Sequence, residues 1–233
     1  MTVRILTSDL ITVEAALQKA KTSGFKSYRD GDFRRFEAAV REAAMKNPHI
    51  APWLLPAYEP LKKRAKKYLS LVEKEWEALG YRVMGQIHDV TDVTGYPLTV
   101  FTTMPALRDI DDGDYLILGS SREWSDPVLR ICRTALMRKI NGKDGGYGRI
   151  RRAVADLVME EVVSRLVHLT ALPHYYGVEY PPFKGCGVLE ELKMQLLPEW
   201  NEFIASERNG KNIDDFISRA EEIAGRKEEQ YAR

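Results

Sequence analysis

Residues 58–80 read YEPLKKRAKKYLSLVEKEWEALG, and the periodicity of this stretch decides the fold class. Its apolar side chains recur every three or four residues, which predicts an amphipathic helix from about Tyr58 to Leu79. We expect Leu69 and Trp76 to be buried in this helix. The face opposite the apolar stripe carries the bases Lys62, Lys63, Arg64, Lys66 and Lys67.

The residues before this helix are also predicted to be mostly helical. Residues 3–6 suit a short strand, and a first helix then ends near Gly24. Asp32 is a candidate N-cap for a second helix over residues 33–46. The proline-punctuated segment 51–60 separates these elements from the long helix.

The periodicity changes after residue 80, where β-branched and aromatic residues dominate three short runs. These runs are residues 81–89, 98–104 and 115–118, and turn residues lie between them. The simplest arrangement is an antiparallel meander of three strands, which the N-terminal strand can join. We therefore predict a small sheet in the middle of the chain.

Helical periodicity returns at residue 126. Asp126-Pro127 suits the N-cap and first position of a helix that ends at Ile140. A long helix over about residues 149–171 follows. Two further helices close the chain, one interrupted by Pro198 and one over about residues 213–227.

The predicted fold class is α+β, mostly helical with a small central antiparallel sheet. We predict a single domain over residues 1–233. The alternative is a sub-division near residue 120, with a helical segment plus the small sheet in 1–120 and a helical part in 121–233. A chain of this length is long enough to bury a sizeable core.

Composition favours an ordinary globular protein of a reducing compartment. The chain is 44% hydrophobic and 30% charged, unlike the composition of disordered chains. No apolar run resembles a secretion signal or reaches the roughly 18 residues of a membrane span. Two cysteines are too few for a disulfide framework. We therefore expect a cytoplasmic protein that binds no membrane and needs no cofactor.

Charge is distributed unevenly along the chain, and this is the strongest functional signal. Residues 127–155, called the basic segment below, hold eight bases against the single acid Asp144. From Asp156 onward acids outnumber bases, with a net charge of about −6. Such a separation predicts either an anionic partner for the basic segment or pairing between the two parts of the chain.

The basic segment is predicted to form a nucleic-acid interface. In its first helix an apolar stripe leaves Arg130, Arg133 and Arg138 facing outward. The glycine-rich loop that follows can bring backbone amides close to an anion, and Tyr147 in that loop can stack on a base. The predicted nucleic-acid-binding residues are Arg130, Arg133, Arg138, Lys139, Lys143, Tyr147, Arg149, Arg151 and Arg152. In the alternative, the same residues pair with the acidic end of the same chain.

Two other groups of residues have weaker functional interpretations. His168, His174 and Cys186 are candidate zinc ligands, although their spacing is unlike that of compact metal sites. Asp156, Glu160, Ser164 and His168 follow one another at four-residue intervals on one helix, which could place carboxylates beside the imidazole. An aromatic loop offers a contact for another copy or a protein partner through Tyr175, Tyr176, Tyr180 and Phe183.

Three functions therefore remain open on the sequence. The first is a non-catalytic nucleic-acid-binding or accessory protein that uses the basic segment. The second is a structural subunit of a larger assembly, cellular or viral. The third is a metal-dependent hydrolase built around His168, so the sequence leaves catalytic activity undecided.

Overall fold

The computed structural model describes residues 3–22, 31–94, 97–103, 110–111, 114–119, 127–141, 148–169, 187–206 and 212–231. Contacts group the chain into two units. The sheet unit comprises residues 3–77 and 98–123. The helical unit comprises residues 1–2, 78–97 and 124–233. Each unit therefore combines separate stretches of the sequence. The single domain over residues 1–233 remains a prediction.

The sheet unit contains four described strands, three α-helices and two 3-10 turns. In chain order these are β1 (Val3–Thr7), α1 (Asp9–Thr22), α2 (Gly31–Lys46), the turns Pro52–Leu54 and Pro56–Tyr58, α3 (Glu59–Glu75), β2 (Leu98–Thr103), β3 (Ile110–Asp111) and β4 (Tyr115–Gly119). The fold class predicted from the sequence, α+β and mostly helical, is confirmed.

The strands form one mixed sheet in the order β1-β2-β4-β3. β1 runs parallel to β2, and β2 runs parallel to β4. β3 is antiparallel to β4. The N-terminal strand thus joins the sheet as predicted, but the predicted antiparallel meander is wrong. Four of the described α-helices, α1, α2, α3 and α4 (Tyr81–Thr91), lie between β1 and β2 in the chain, and a long helical connection of this kind permits a parallel pairing.

The helical unit contains five described helices. In chain order these are α4 (Tyr81–Thr91), α5 (Pro127–Asn141), α6 (Arg149–Leu169), α7 (Gly187–Ala205) and α8 (Ile213–Tyr231). The prediction of a strand over residues 81–89 is wrong, because this segment is α4. Val83, Ile87 and Val90 are buried at helical spacing in it. Their β-branched side chains favour strands, but packing on one helical face outweighs that preference.

The predicted long helix is confirmed as α3, which continues into a π-helical turn over Trp76–Gly80. Trp76 is buried as expected, whereas Leu69 is only half-buried. α3 packs on the sheet, with contacts to β1 and β2. A separate apolar cluster joins α1, α2 and the start of α3 through Ala16, Phe36 and Leu61.

α6 is the central helix of the helical unit and contacts α4, α5, α7 and α8. Residues 153–159 form an uninterrupted buried run on it. A helix that is buried on all sides needs apolar residues around its whole circumference, and this run supplies them. Asp156 is the exception in the run. Its carboxylate, together with Glu160, forms the polar contacts described next.

Candidate nucleic-acid interface

α5 carries the first half of the basic segment, and most of this helix is buried. The positions of residues 127–140 that retain some exposure are Arg133, Thr134 and Lys139. Arg130 is 6% exposed and Arg138 is 8% exposed. The prediction that these two arginines face outward is wrong, because α5 packs against both α4 and α6 and has neighbours on more than one side.

Arg133 on α5 forms an ion pair with Asp156 on α6. The Arg133 Nε atom donates to Asp156 Oδ1 at 2.7 Å. The Asp156 side chain is only 5% exposed, whereas that of Arg133 is 32% exposed. A buried carboxylate needs a partner, and here the basic segment supplies it from the neighbouring helix. For Arg133, pairing with the acidic part of the same chain is therefore confirmed.

Arg151 at the start of α6 also binds groups of its own chain. Its Nη1 atom donates to the Ile140 carbonyl oxygen at 2.6 Å. Its Nε atom donates to Glu221 Oε1 on α8 at 3.3 Å. Carbonyl groups in the last turn of a helix lack intrahelical partners, so Arg151 caps the carboxyl end of α5. Arg151 therefore has a structural role, because its guanidinium binds groups of the protein itself.

Three predicted phosphate-binding residues of the basic segment remain exposed, namely Lys139, Arg149 and Arg152. Lys139 lines a cavity at the ends of three helices. Lys143 and Tyr147 lie outside the described residues, and so does the glycine-rich loop that holds them. The structure therefore does not bring the nine predicted residues together on one described surface.

A second buried ion-pair cluster joins α6 to α7, and the sequence analysis missed it. Lys193 on α7 donates to Glu160 Oε1 on α6 at 2.6 Å. The same Nζ atom lies 3.0 Å from Glu190 Oε2 one turn earlier on α7. The Lys193 side chain is 4% exposed. A buried ammonium is stable only with such partners, and two carboxylates provide them.

The environment of this cluster shifts two pKa values. Burial raises the pKa of the Glu160 carboxyl, while the hydrogen bond from Lys193 acts against this shift. Burial alone would lower the pKa of Lys193, but its hydrogen bonds to Glu160 and Glu190 outweigh burial, and the net pKa is raised. Lys193 is therefore a charged structural group at neutral pH.

One signal in the sequence could have revealed this cluster. Asp156 and Glu160 lie four residues apart within a segment that is otherwise almost continuously apolar. Two carboxylates on one face of a buried helix require cationic partners from neighbouring helices. Arg133 and Lys193 are those partners.

A surface of exposed lysines lies on α3 in the sheet unit. It consists of Lys63, Lys66, Lys67 and Lys74, called the lysine face below. At 100° per residue, these four positions fall within an arc of about 100° on the helix. They extend over about 16 Å along the axis, at 1.5 Å per residue. Residues 60–72 include five bases and no acid.

The lysine face differs from the neighbouring bases in having no counter-ions. Lys62 lies 3.5 Å from Asp9 Oδ2, and Arg64 pairs with Asp32. No ion pair links any of the four lysines of the face to the part of the chain that the structure describes. The basic side of this helix is visible in the sequence, but none of the predicted binding residues lies on it.

The weaker site candidates lie largely outside the described residues. This applies to His174, Cys186 and the four aromatic residues Tyr175, Tyr176, Tyr180 and Phe183, and His168 is placed only as a member of α6. Within the described ranges, no three histidine, cysteine, aspartate or glutamate residues form a group able to hold a metal ion.

Comparison with known proteins gives no family for this chain. No protein-family model, curated protein or solved structure matches it. In the described part of the chain, none of the helices combines the length and the apolar character that a bilayer crossing requires.

Proposed function

We propose that this chain is a nucleic-acid-binding protein without a catalytic role, and that it contacts phosphate groups through the lysine face of α3. One observation supports the proposal above all others. Four exposed ammonium groups lie on one side of one helix and have no carboxylate partner among the described residues. In the helical unit, Lys139 and Arg149 are secondary candidates, because neither forms an ion pair with the described residues.

The contrast within α3 distinguishes this surface from an ordinary solvated helix. Exposed lysines on helices commonly pair with acids one turn away, as Lys46 does with Glu42 on α2. Next to the lysine face, Asp9 forms an ion pair with Lys62 and Asp32 forms one with Arg64. The four lysines of the face have no ion-pair partner within the described ranges, and a polyanion can pair with them with release of condensed counterions.

The shape of the surface favours a polymer over a small anion. The lysine face extends along one helix and does not converge on a point. Duplex DNA carries one negative charge per about 1.7 Å of its axis, so a helix face of about 16 Å can meet several phosphates at once. Tyr68, the aromatic residue within this stretch of α3, is half-buried and its hydroxyl donates to the Gly119 carbonyl oxygen at 3.3 Å. Contacts from lysines alone carry little sequence information, so binding is expected to be non-specific.

The test is the salt dependence of binding to a labelled duplex of mixed sequence, measured by fluorescence anisotropy. Each phosphate contact contributes about 0.9 to the slope of log affinity against log salt. Replacing Lys63, Lys66, Lys67 and Lys74 by glutamine is expected to flatten the slope by roughly 3 to 4. The matched control replaces Arg41 and Lys46, which pair with Glu37 and Glu42 on α2. Absence of binding at low salt, or an equal effect of both variants, contradicts the proposal.

One observation favours self-association as a second candidate function. β1 lies at one edge of the sheet, and Leu6 on it is 44% exposed. Leu10 at the start of α1 is 59% exposed. An open strand edge with apolar side chains is suited to pairing with another chain, as in an assembly subunit. If so, Leu6→Lys reduces the particle mass measured by light scattering, while the lysine-face variant leaves it unchanged.

A further inference from the structure

A cavity of about 330 Å³ lies within the helical unit, where three helix ends meet. The carboxyl ends of α4 and α5 contribute Asp92 and Lys139, and the amino end of α8 contributes Asp214. Its size is at the lower end of the range for sites that bind small molecules. Neither the lysine face nor the buried ion pairs of α6 take part in it.

The charged residues that line this cavity have few ion-pair partners in the part of the chain that the structure describes. Lys139 is exposed and forms no ion pair with the described residues. The same is true of the Asp214 carboxylate, although the backbone N–H of Asp214 donates to Asn212 Oδ1 at 2.9 Å. Asp92 Oδ1 lies 3.8 Å from His88 Nδ1. One basic and two acidic residues therefore line the same cavity, and no ion pair joins Lys139 to either aspartate.

Asp92 has an unusual backbone conformation. Its φ angle is 57°, and it is the one non-glycine residue with positive φ among those that the structure describes. Its N–H closes α4 by donating to the His88 carbonyl oxygen at 2.7 Å. Glycine adopts this conformation at lower cost than aspartate. Asp92 is nevertheless an aspartate, and it is one of the residues that line the cavity.

We propose that this cavity binds a small zwitterion of the amino-acid class. The ligand's carboxylate pairs with the Lys139 ammonium, and its ammonium group pairs with Asp92 and Asp214. A simple anion would meet two carboxylates of like charge, and a simple cation would leave Lys139 without a partner. A ligand that carries both charges satisfies all three groups.

Isothermal titration calorimetry of the full chain with individual amino acids tests this assignment. At least one amino acid is expected to bind, while its decarboxylated amine and its deaminated acid bind at least roughly tenfold more weakly. Lys139→Met and Asp214→Asn should each weaken binding by roughly tenfold or more. Asp92→Gly should do the same without strain, because glycine tolerates the positive φ.

Matched controls come from the same unit. Asp215 is exposed next to Asp214 but does not line the cavity, and Arg149 is an exposed base at the start of α6. Asp215→Asn and Arg149→Met should bind the amino acid as the unchanged chain does. The absence of binding for every amino acid overturns the inference, and so does an equal loss in control and cavity variants. Because the lysine face belongs to the sheet unit, nucleic-acid binding can fail or succeed independently of this result.

Discussion

The Arg133 guanidinium and the Asp156 carboxylate join α5 to α6 through a hydrogen-bonded ion pair of 2.7 Å, with Asp156 almost wholly buried. Arg133 is part of the segment whose positive charge suggests an external anion. Its partner is instead a residue at the start of the acidic part of the chain. Charge separation along a sequence can therefore reflect pairing between helices within one fold, and each base has to be assigned individually.

Breaking this pair from one side is expected to be costly. Arg133→Met leaves the Asp156 carboxylate buried without a counter-charge, and we expect a loss of about 3 kcal/mol in the free energy of unfolding. This figure is at the low end for buried pairs because Arg133 keeps part of its side chain in solvent. The double variant Arg133→Met/Asp156→Leu should recover most of the loss in urea unfolding. If the double variant is as unstable as the sum of both single variants, the pair has no coupling and the assignment is wrong.

The Lys193 cluster predicts a dependence of stability on pH. The pKa of Lys193 is raised by folding, so its contribution is fully present below the unfolded pKa of about 10.4 and is lost as pH rises through the folded value. Lys193→Met should therefore lower the free energy of unfolding by about 2–3 kcal/mol at neutral pH, and the difference should shrink above about pH 10.5. Urea unfolding of both proteins at several pH values measures it. A difference that stays constant up to pH 11 contradicts this prediction.

Glu160 is expected to behave differently from Lys193. Burial raises the pKa of Glu160, so folding disfavours its charged form, and the folded state gains relative stability as pH falls through the raised pKa. Glu160→Gln resembles the protonated carboxyl and still accepts a hydrogen bond from Lys193. We expect it to cost less than about 1 kcal/mol at neutral pH, clearly less than Lys193→Met. Equal losses for the two variants would contradict this reasoning.

Arg151 and Arg149 offer a comparison between an arginine with a structural role and one that forms no ion pair with the described residues. Arg151→Gln removes the cap on the Ile140 carbonyl and the contact with Glu221, so we expect a loss of about 1.5 kcal/mol and a Tm lower by about 3–6 °C. Arg149→Gln at the exposed start of the helix should change stability by less than about 0.5 kcal/mol. Differential scanning calorimetry distinguishes the two. A similar Tm for both variants would show that Arg151 does not hold α5.

Gly85 provides a test of the helical state of residues 81–91. It is exposed in the middle of α4, and a Cβ atom there would meet nothing within 4 Å. Gly85→Ala should stabilise the protein by about 0.5–1 kcal/mol, and Gly85→Val should stabilise it less, because valine is a poorer helix former. A strand at this position would reverse the order, since β-branched residues favour strands. Thermal unfolding of the two variants decides between these states.

Much of the fold could be predicted from local patterns. The apolar spacing of α3 was sufficient to place it and to predict that Trp76 is buried. α4 was misassigned because Val83, Ile87 and Val90 satisfy both a strand preference and a helical spacing. This error removed a helix from the prediction and added an antiparallel strand. The parallel pairing of β1 with β2 is set by contacts between distant residues and is not visible in either segment alone.

The candidate site was harder to predict for a physical reason. An apolar stripe on α5 indicates one buried side but does not tell how many neighbours the helix has, so Arg130 and Arg138 could not be placed. The lysine face could be read from the sequence as a basic side of α3. The sequence could not show which bases of α3 find a carboxylate among the described residues, because Asp9 and Asp32 approach Lys62 and Arg64 only in the folded chain.

The pairing of β1 with β2 also sets an order of events during synthesis. The Thr7 hydroxyl donates to the Thr102 carbonyl oxygen, 95 positions later in the chain. Ribosomes add about 5–20 residues per second, so the first strand waits roughly 5–20 seconds before its partner exists. During that interval the apolar residues of β1 lack the sheet that later covers one edge of the strand. The β1–β2 pair, whose register starts with Val3 opposite Leu98, can therefore form only after residues 98–103 have been synthesised.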